Sequence, residues 1–164
     1  MNLALRFVFR LALGTWVGAI VAVSFLVAPT AFRLLPRESA GSVMGAVFGA
    51  YYLMGVVLGL VALAAVAALA ARSRWDVGRW AAVLLLAGMI AAAAHNRWNV
   101  APRIIDVRGQ LWQAQAGGAD GTGALRERLD QLHHVSVMLN GAMLLMGVAL
   151  IGLEARRENR LEEE

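Results

Sequence analysis

Cysteine and lysine are both absent from this 164-residue chain, and charged residues of any kind make up only 16% of it. Without cysteine the chain has no disulfide, no thiolate metal ligand and no cysteine nucleophile, and its redox compartment cannot be read. All 15 basic residues are arginine, which we interpret as GC-rich coding rather than mechanism. The arginines lie mainly at the ends of apolar runs, where headgroup contacts and orientation signals belong, so nucleic-acid binding is a poor explanation of the net charge of +4.

Catalytic motifs are also missing. No span carries an internal carboxylate, and the sequence contains no G-x-S-x-G, no H-E-x-x-H and no phosphate-binding loop. We therefore expect that the protein is not an enzyme, and we assign it no catalytic residue, no metal ligand and no cofactor.

Long apolar runs are what the chain does have: 60% of its residues are hydrophobic, and the mean hydropathy is +0.64. This composition predicts an all-α fold, an integral membrane four-helix bundle forming a single domain over residues 1–164. The spans are expected at about residues 11–28, 43–71, 80–96 and 131–154. We interpret the first as a retained span that stops at Pro29 rather than as a signal peptide, because its apolar stretch is long and no good cleavage site follows.

The loop expected at about residues 99–130 is the only sizeable extramembrane piece. Ile104, Val107, Leu111 and Trp112 follow helical spacing with polar residues between them, which predicts an interfacial amphipathic helix between spans 3 and 4. A glycine-rich linker, residues 117–123, should separate it from a helix that begins near Ala124 and runs unbroken into the last span.

One polar stripe stands out inside the last apolar run. His133, Ser136 and Asn140 are spaced i, i+3, i+7 and so share one helical face, which lipid will not solvate. An unpaired amide at the depth of Asn140 would cost about 1–3 kcal/mol. Asn140 is therefore expected either to hydrogen-bond another helix, through Thr15 or Ser24, or to line a cavity.

Histidines at the ends of two spans offer a second feature. His95 ends the third span and His133 and His134 begin the fourth, so all three are expected near the same membrane face. Tyr51 and Tyr52 could add an oxygen ligand. Imidazoles at one depth can ligate haem iron or a divalent metal. The alternative, which we weigh more heavily, is that these are interfacial or hydrogen-bonded histidines without a ligand. The predicted pocket comprises His133, Ser136, Asn140, His95 and Tyr51.

Arginines and glycines suggest the partners of the protein. Four arginines on one side could bind an anion or lipid headgroups, although snorkelling and anchoring also explain them; they are Arg33, Arg37, Arg97 and Arg103. Rows of glycine spaced by four residues allow close helix packing, within the bundle or between copies in a homo-oligomer. The rows are Gly14 with Gly18, and Gly41, Gly45 and Gly49, followed by Gly55 and Gly59.

Several short motifs resemble a known family. They are FRLLPR at 32–37, NRW at 96–98 with Pro102 and Arg103, and the H-x-x-S-x-x-x-N pattern of residues 133–140. Together they are similar to the small four-helix membrane family that includes human transmembrane protein 205, over nearly the whole chain. The resemblance implies four spans and a region without a settled biochemical role; the human member is linked to platinum-drug resistance. This chain departs from the family in lacking cysteine and in having a much shorter third loop.

Three functional hypotheses follow. The first is a transporter-like or ligand-binding bundle with a polar pocket near one membrane face, and the alternative is a non-catalytic scaffold acting through lipid or partner contacts. A haem- or metal-binding membrane protein is a distant third. We expect a multi-pass protein of the bacterial inner membrane with membrane lipids as partners. The arginines divide almost evenly between the two sides of the membrane, and the arginine-rich loop of residues 72–79 predicts that both termini lie in the cytoplasm.

Overall fold

A computed structural model describes residues 2–71, 76–117 and 122–162, with side chains over 3–71, 76–117 and 122–157. The described residues are almost entirely helical and contain no strand. The elements in chain order are α1 (Asn2–Ala22), a π-helical segment (Val23–Val27), α2 (Ala28–Leu34), α3 (Arg37–Ala70), α4 (Val77–His95), a second π-helical segment (Asn96–Val100), α5 (Ala101–Ala116) and α6 (Gly123–Glu162).

Four continuous helical stretches in the described part of the chain are long and apolar enough to cross a membrane. They are Leu3–Leu34, Arg37–Ala70, Val77–Ala116 and Gly123–Arg157. At a rise of about 1.5 Å per residue, each exceeds the roughly 30 Å hydrocarbon core of a bilayer. Large apolar side chains face outward, as in Leu84 (69% exposed) and Leu145 (73% exposed). The prediction of an all-α membrane bundle is confirmed.

The four spans form a ring. α1 packs against α3, α3 against α4, α4 against α6, and α6 returns to α1 through the least extensive of the four contacts. Across the ring, the backbones of α3 and α6 do not touch in the described residues. α5 extends beyond α4 and packs against α6 and the start of α3.

Glycine allows the tightest packing, in the half of the bundle nearer the termini. The buried indole of Trp16 lies against Gly55 and Gly59 of α3. A Cβ added at Gly55 would come within 2.6 Å of the indole nitrogen, and one at Gly59 within 2.5 Å of Ile90. Gly147 on α6 is as confined, since its Cβ would meet Val17 at 2.5 Å. These glycines are therefore what lets the helix backbones approach one another.

Two of the three prolines, Pro29 and Pro102, lie within continuous helical stretches, whereas Pro36 separates α2 from α3. The expectation that the first span stops at Pro29 is wrong, because α2 extends to Leu34. Proline lacks an N–H and its ring clashes with the carbonyl four residues back, so an α-helix cannot pass through it undistorted. A π turn precedes Pro29 and Pro102: the Ala28 amide donates to the Val23 carbonyl and the Ala101 amide to the Asn96 carbonyl, each five residues back. This wider turn keeps the helix continuous.

The amphipathic helix expected between spans 3 and 4 is α5, and it follows α4 without a loop because of the second π-helical segment. Its Val107 and Leu111 are buried. The long last helix is confirmed, since α6 runs from Gly123 to Glu162 without a break. Arg72 and Arg74, on which the orientation rests, and residues 118–121 of the glycine-rich linker lie outside the described residues.

An exposed ion pair joins the two helix ends nearer the termini. Asp76 caps α4 by accepting a hydrogen bond from the backbone amide of Arg79 at 2.8 Å. The other carboxylate oxygen of Asp76 accepts from the guanidinium of Arg157 on α6 at 2.7 Å. These contacts fix the start of α4 against the end of α6.

Candidate functional site: a cavity between the diverging helix ends

A cavity of about 470 Å³ lies where the first span diverges from α6. In the described residues, α2 contacts α3 but neither α5 nor α6, so the ring is open between α2 and α6. The volume is within the range of roughly 300–1,000 Å³ found for small-molecule sites. Most of the lining side chains are apolar; those with aromatic rings are Phe25, Phe32, Phe48 and Tyr52.

A hydrogen-bonded polar cluster closes the deep end of the cavity. The Tyr51 hydroxyl donates to Oδ1 of Asn140 at 2.7 Å, and Nδ2 of Asn140 donates to the Ser24 hydroxyl at 2.8 Å. The hydroxyls of Tyr52 and Ser136 lie 3.0 Å apart and share a second hydrogen bond. Asn140 thus both joins three helical segments and lines the cavity, and Ser24 is the partner that it uses.

The two tyrosines bridge helices whose backbones do not touch. Tyr51 and Tyr52 are 4% and 3% exposed, and their rings are 4.8 Å apart. The ring of Tyr52 also stacks on Phe48 at 5.8 Å, one turn earlier on α3. A stacked aromatic cluster restricts the rotamers of its members. The position of both hydroxyls across the ring is therefore fixed.

The predicted pocket residues do not all meet. Ser136, Asn140 and Tyr51 lie in the polar cluster, and His133 lines the cavity nearer its outer end. His95 is exposed and is not among the residues that line the cavity.

The register of the helices explains the separation of the histidines. Met146 lies against Gly88, so the antiparallel pairing of α4 and α6 puts His95 level with about Asn140. His133 is seven residues from Asn140, which is about 10 Å of helical rise. The two imidazoles therefore lie at different depths, contrary to the expectation. No group of three or more potential metal ligands occurs among the described residues.

Arg108 is the cavity residue that sequence reasoning missed. Its guanidinium donates from Nη1 to the backbone carbonyl of Gly41, at the start of α3. On α5 it lies on one face with Ala101, Ile104 and Ile105, which all line the cavity. A single charge within an apolar stripe spaced i, i+3, i+4, i+7 was the signal that could have identified it. The four arginines expected at a headgroup site are outside this lining; Arg33, Arg37 and Arg103 are exposed and Arg97 is half-buried.

The second π-helical segment holds the most deeply buried polar residue. Asn96 is 0% exposed, and neither its side-chain nitrogen nor its oxygen has a hydrogen-bond partner among the described residues. The same is true of Nε of the neighbouring Arg97. π turns of this kind are frequent at functional sites. Here both of them immediately precede the segments, α2 and α5, that wall the cavity.

The predicted glycine rows have different surroundings along their length. A Cβ at Gly41 would meet the Arg108 guanidinium at 3.1 Å, whereas no described residue lies within 4 Å of one at Gly49. The same holds for Gly14 and Gly18, which are exposed on α1. The first row is therefore not used for packing within the described bundle.

Four apolar spans around a laterally open cavity define a multi-pass helical membrane protein. The chain belongs to a family described as a domain of unknown function (DUF4149), whose sequence profile matches residues 11–113. That region includes α2, α3 and most of α5 but ends before α6. No curated protein and no solved structure matches the chain.

Proposed function

We propose that this protein is a transporter-like or ligand-binding membrane bundle whose site is the cavity between α2, α3, α5 and α6. The observation that carries the proposal is the cavity itself: about 470 Å³, mostly apolar walls and a small set of fixed polar groups. This combination is typical of small-molecule sites rather than of packing defects. In this proposal the protein is not an enzyme. The hydrogen bonds of Asn140, Ser136 and the tyrosines hold the helices that form the cavity walls in place.

The opening between α2 and α6 supports entry of the ligand from the membrane. Phe25 and Phe32 on one side of the opening and Val137 on the other are exposed and line the cavity. Apolar side chains at such a mouth are compatible with acyl chains and unfavourable for a water-filled entrance. We therefore propose that the ligand is taken from, and returned to, the lipid phase.

The membrane in which the protein lies, its orientation and its wider kinship are also proposals. We propose that the protein lies in the bacterial inner membrane. The arginine-rich loop of residues 72–79 supports cytoplasmic termini, an orientation that would put the cavity near the outer face. The motifs at 32–37, 96–98 and 133–140 support kinship with the family that includes human transmembrane protein 205. The last of these motifs carries the polar face of the cavity, including Asn140.

The test uses two glycines of α6 with matched surroundings. Both Gly141 and Gly152 are exposed, and no described residue lies within 4 Å of a Cβ at either, but only Gly141 lines the cavity. Gly141→Phe should fill the cavity without disturbing packing, and Gly152→Phe is the control. Native mass spectrometry after mild detergent extraction should show bound lipid on the wild type and on Gly152→Phe, and little on Gly141→Phe.

Equal lipid retention by the two variants, or none by the wild type, would overturn the proposal. Thermal denaturation of both variants should match the wild type, which separates loss of the site from loss of the fold.

A second candidate function is that of a non-catalytic scaffold acting through lipid or partner contacts. The exposed glycines on one face of α1 favour it. Gly14 and Gly18 are four residues apart and exposed, with no described residue within 4 Å of a Cβ at either position. Pairs of small residues with this spacing allow two helices to approach closely. The same mass spectra report oligomeric state, and a strictly monomeric wild type would remove this support.

A further inference from the structure

Arg108 lies in the cavity wall with much of its hydrogen-bonding capacity unused. The side chain is half-buried, and among the described residues its one hydrogen bond runs from Nη1 to the Gly41 carbonyl. A guanidinium has five N–H donors and is always charged. No described carboxylate forms an ion pair with it, and no described lining residue is acidic.

The polar groups at the deep end of the cavity are already paired. Asn140 is hydrogen-bonded to both Tyr51 and Ser24, and Tyr52 is hydrogen-bonded to Ser136. These five side chains close the deep end and have partners without a ligand. The outer end holds the side chains of Arg108 and His133, and of these two only the Arg108 guanidinium is always charged.

Arg108 lies level with the start of the apolar run of α3, where the headgroup region of a bilayer is expected. Gly41 is in the second turn of α3, whose apolar run begins at Val43. A snorkelling arginine would extend toward water, but this guanidinium turns inward to a backbone carbonyl of the bundle. Most of the other side chains that line the cavity are apolar.

We infer that the ligand is an anionic membrane lipid whose phosphate binds the Arg108 guanidinium and whose acyl chain lies in the apolar cavity. This rests on the proposed function of the cavity and names its ligand class. Guanidinium pairs with phosphate through two parallel hydrogen bonds, and such charge-assisted bonds are short and strong. The open side between α2 and α6 lets the chain extend into the bilayer, so the cavity does not need to enclose the whole lipid.

The test compares two arginines of α5. Arg103 is exposed and outside the cavity, so Arg103→Gln is the control for Arg108→Gln. Delipidated full-length protein in neutral detergent is titrated with lysophosphatidylglycerol and lysophosphatidylcholine of equal chain length, and with inorganic phosphate. Binding is followed by native mass spectrometry.

The wild type and Arg103→Gln should bind lysophosphatidylglycerol more tightly than lysophosphatidylcholine. Arg108→Gln should lose this preference, with affinity for the anionic lipid about tenfold or more weaker, and Arg108→Lys should restore part of it. In the wild type the preference should also shrink as salt is raised, because a partly exposed charge pair is screened. The salt dependence is measured on the wild type alone, so it does not depend on whether any variant folds.

Equal binding of the two lysolipids to the wild type, or an unchanged preference in Arg108→Gln, would overturn the anionic assignment and leave the cavity as a binding site. Inorganic phosphate bound as tightly as lysophosphatidylglycerol would overturn the lipid assignment. Failure of the wild type to bind any lysolipid would overturn the proposed function itself.

Discussion

The two halves of the bundle are packed by opposite means. In the half nearer the termini, glycines bring the backbones together, and Trp16 fills the space between α1 and α3. In the other half, a π turn and a proline divert α2 from α6, and long side chains bridge the space that remains. The contrast shows how a bundle without a hydrophobic drive between its helices can hold one end closed and the other open.

The largest expected effect is overpacking of the closed half. Gly59→Leu should destabilise the protein by about 3 kcal/mol or more, or prevent folding, because even a Cβ there would approach Ile90 and Trp16 at 2.5 and 2.7 Å. Gly49→Leu on the same helix is the control, since no described residue lies within 4 Å of its Cβ. Thermal denaturation in detergent measures both. Equal melting temperatures would contradict the close packing.

A smaller loss of stability is expected when the hydrogen bond between Tyr51 and Asn140 in the open half is removed. Asn140→Leu removes the acceptor of the buried Tyr51 hydroxyl, and Tyr51→Phe removes the donor. Interhelical hydrogen bonds in membranes contribute about 0.6 kcal/mol on average and up to about 1.7. A double-mutant cycle of the free energy of unfolding, from titration with a denaturing detergent, should give a coupling of about 1 kcal/mol. Strictly additive changes would show that the bond does not stabilise the open half.

The sequence was sufficient to predict the elements governed by the bilayer. Apolar runs of span length predicted four helices, and the spacing of Ser136 and Asn140 predicted a polar face with Ser24 as a possible partner. Helix ends were less predictable: Pro29 indicates a break, and only the π turn before it explains why the helix continues.

The cavity itself could not be predicted, because its walls come from segments distant in the chain. From the sequence, Arg108 is one of the polar residues that lie between the apolar positions of α5, and the direction of its side chain depends on how α5 packs against α6 and the start of α3. The depth of His95 depends in the same way on the register of α4 against α6. Rotation and register are set by packing between helices, which the periodicity of a single helix does not determine.

The most direct test of the account uses the absence of cysteine, because any introduced thiol is the only one in the chain. Ile104→Cys places it in the cavity wall, and Gln110→Cys places it on the exposed side of the same helix. Maleimide labelling of each is followed as lysophosphatidylglycerol is added. We predict saturable protection of the thiol at 104 and none at 110. Equal labelling of both at every lipid concentration would contradict the claim that the open half holds a lipid-binding cavity.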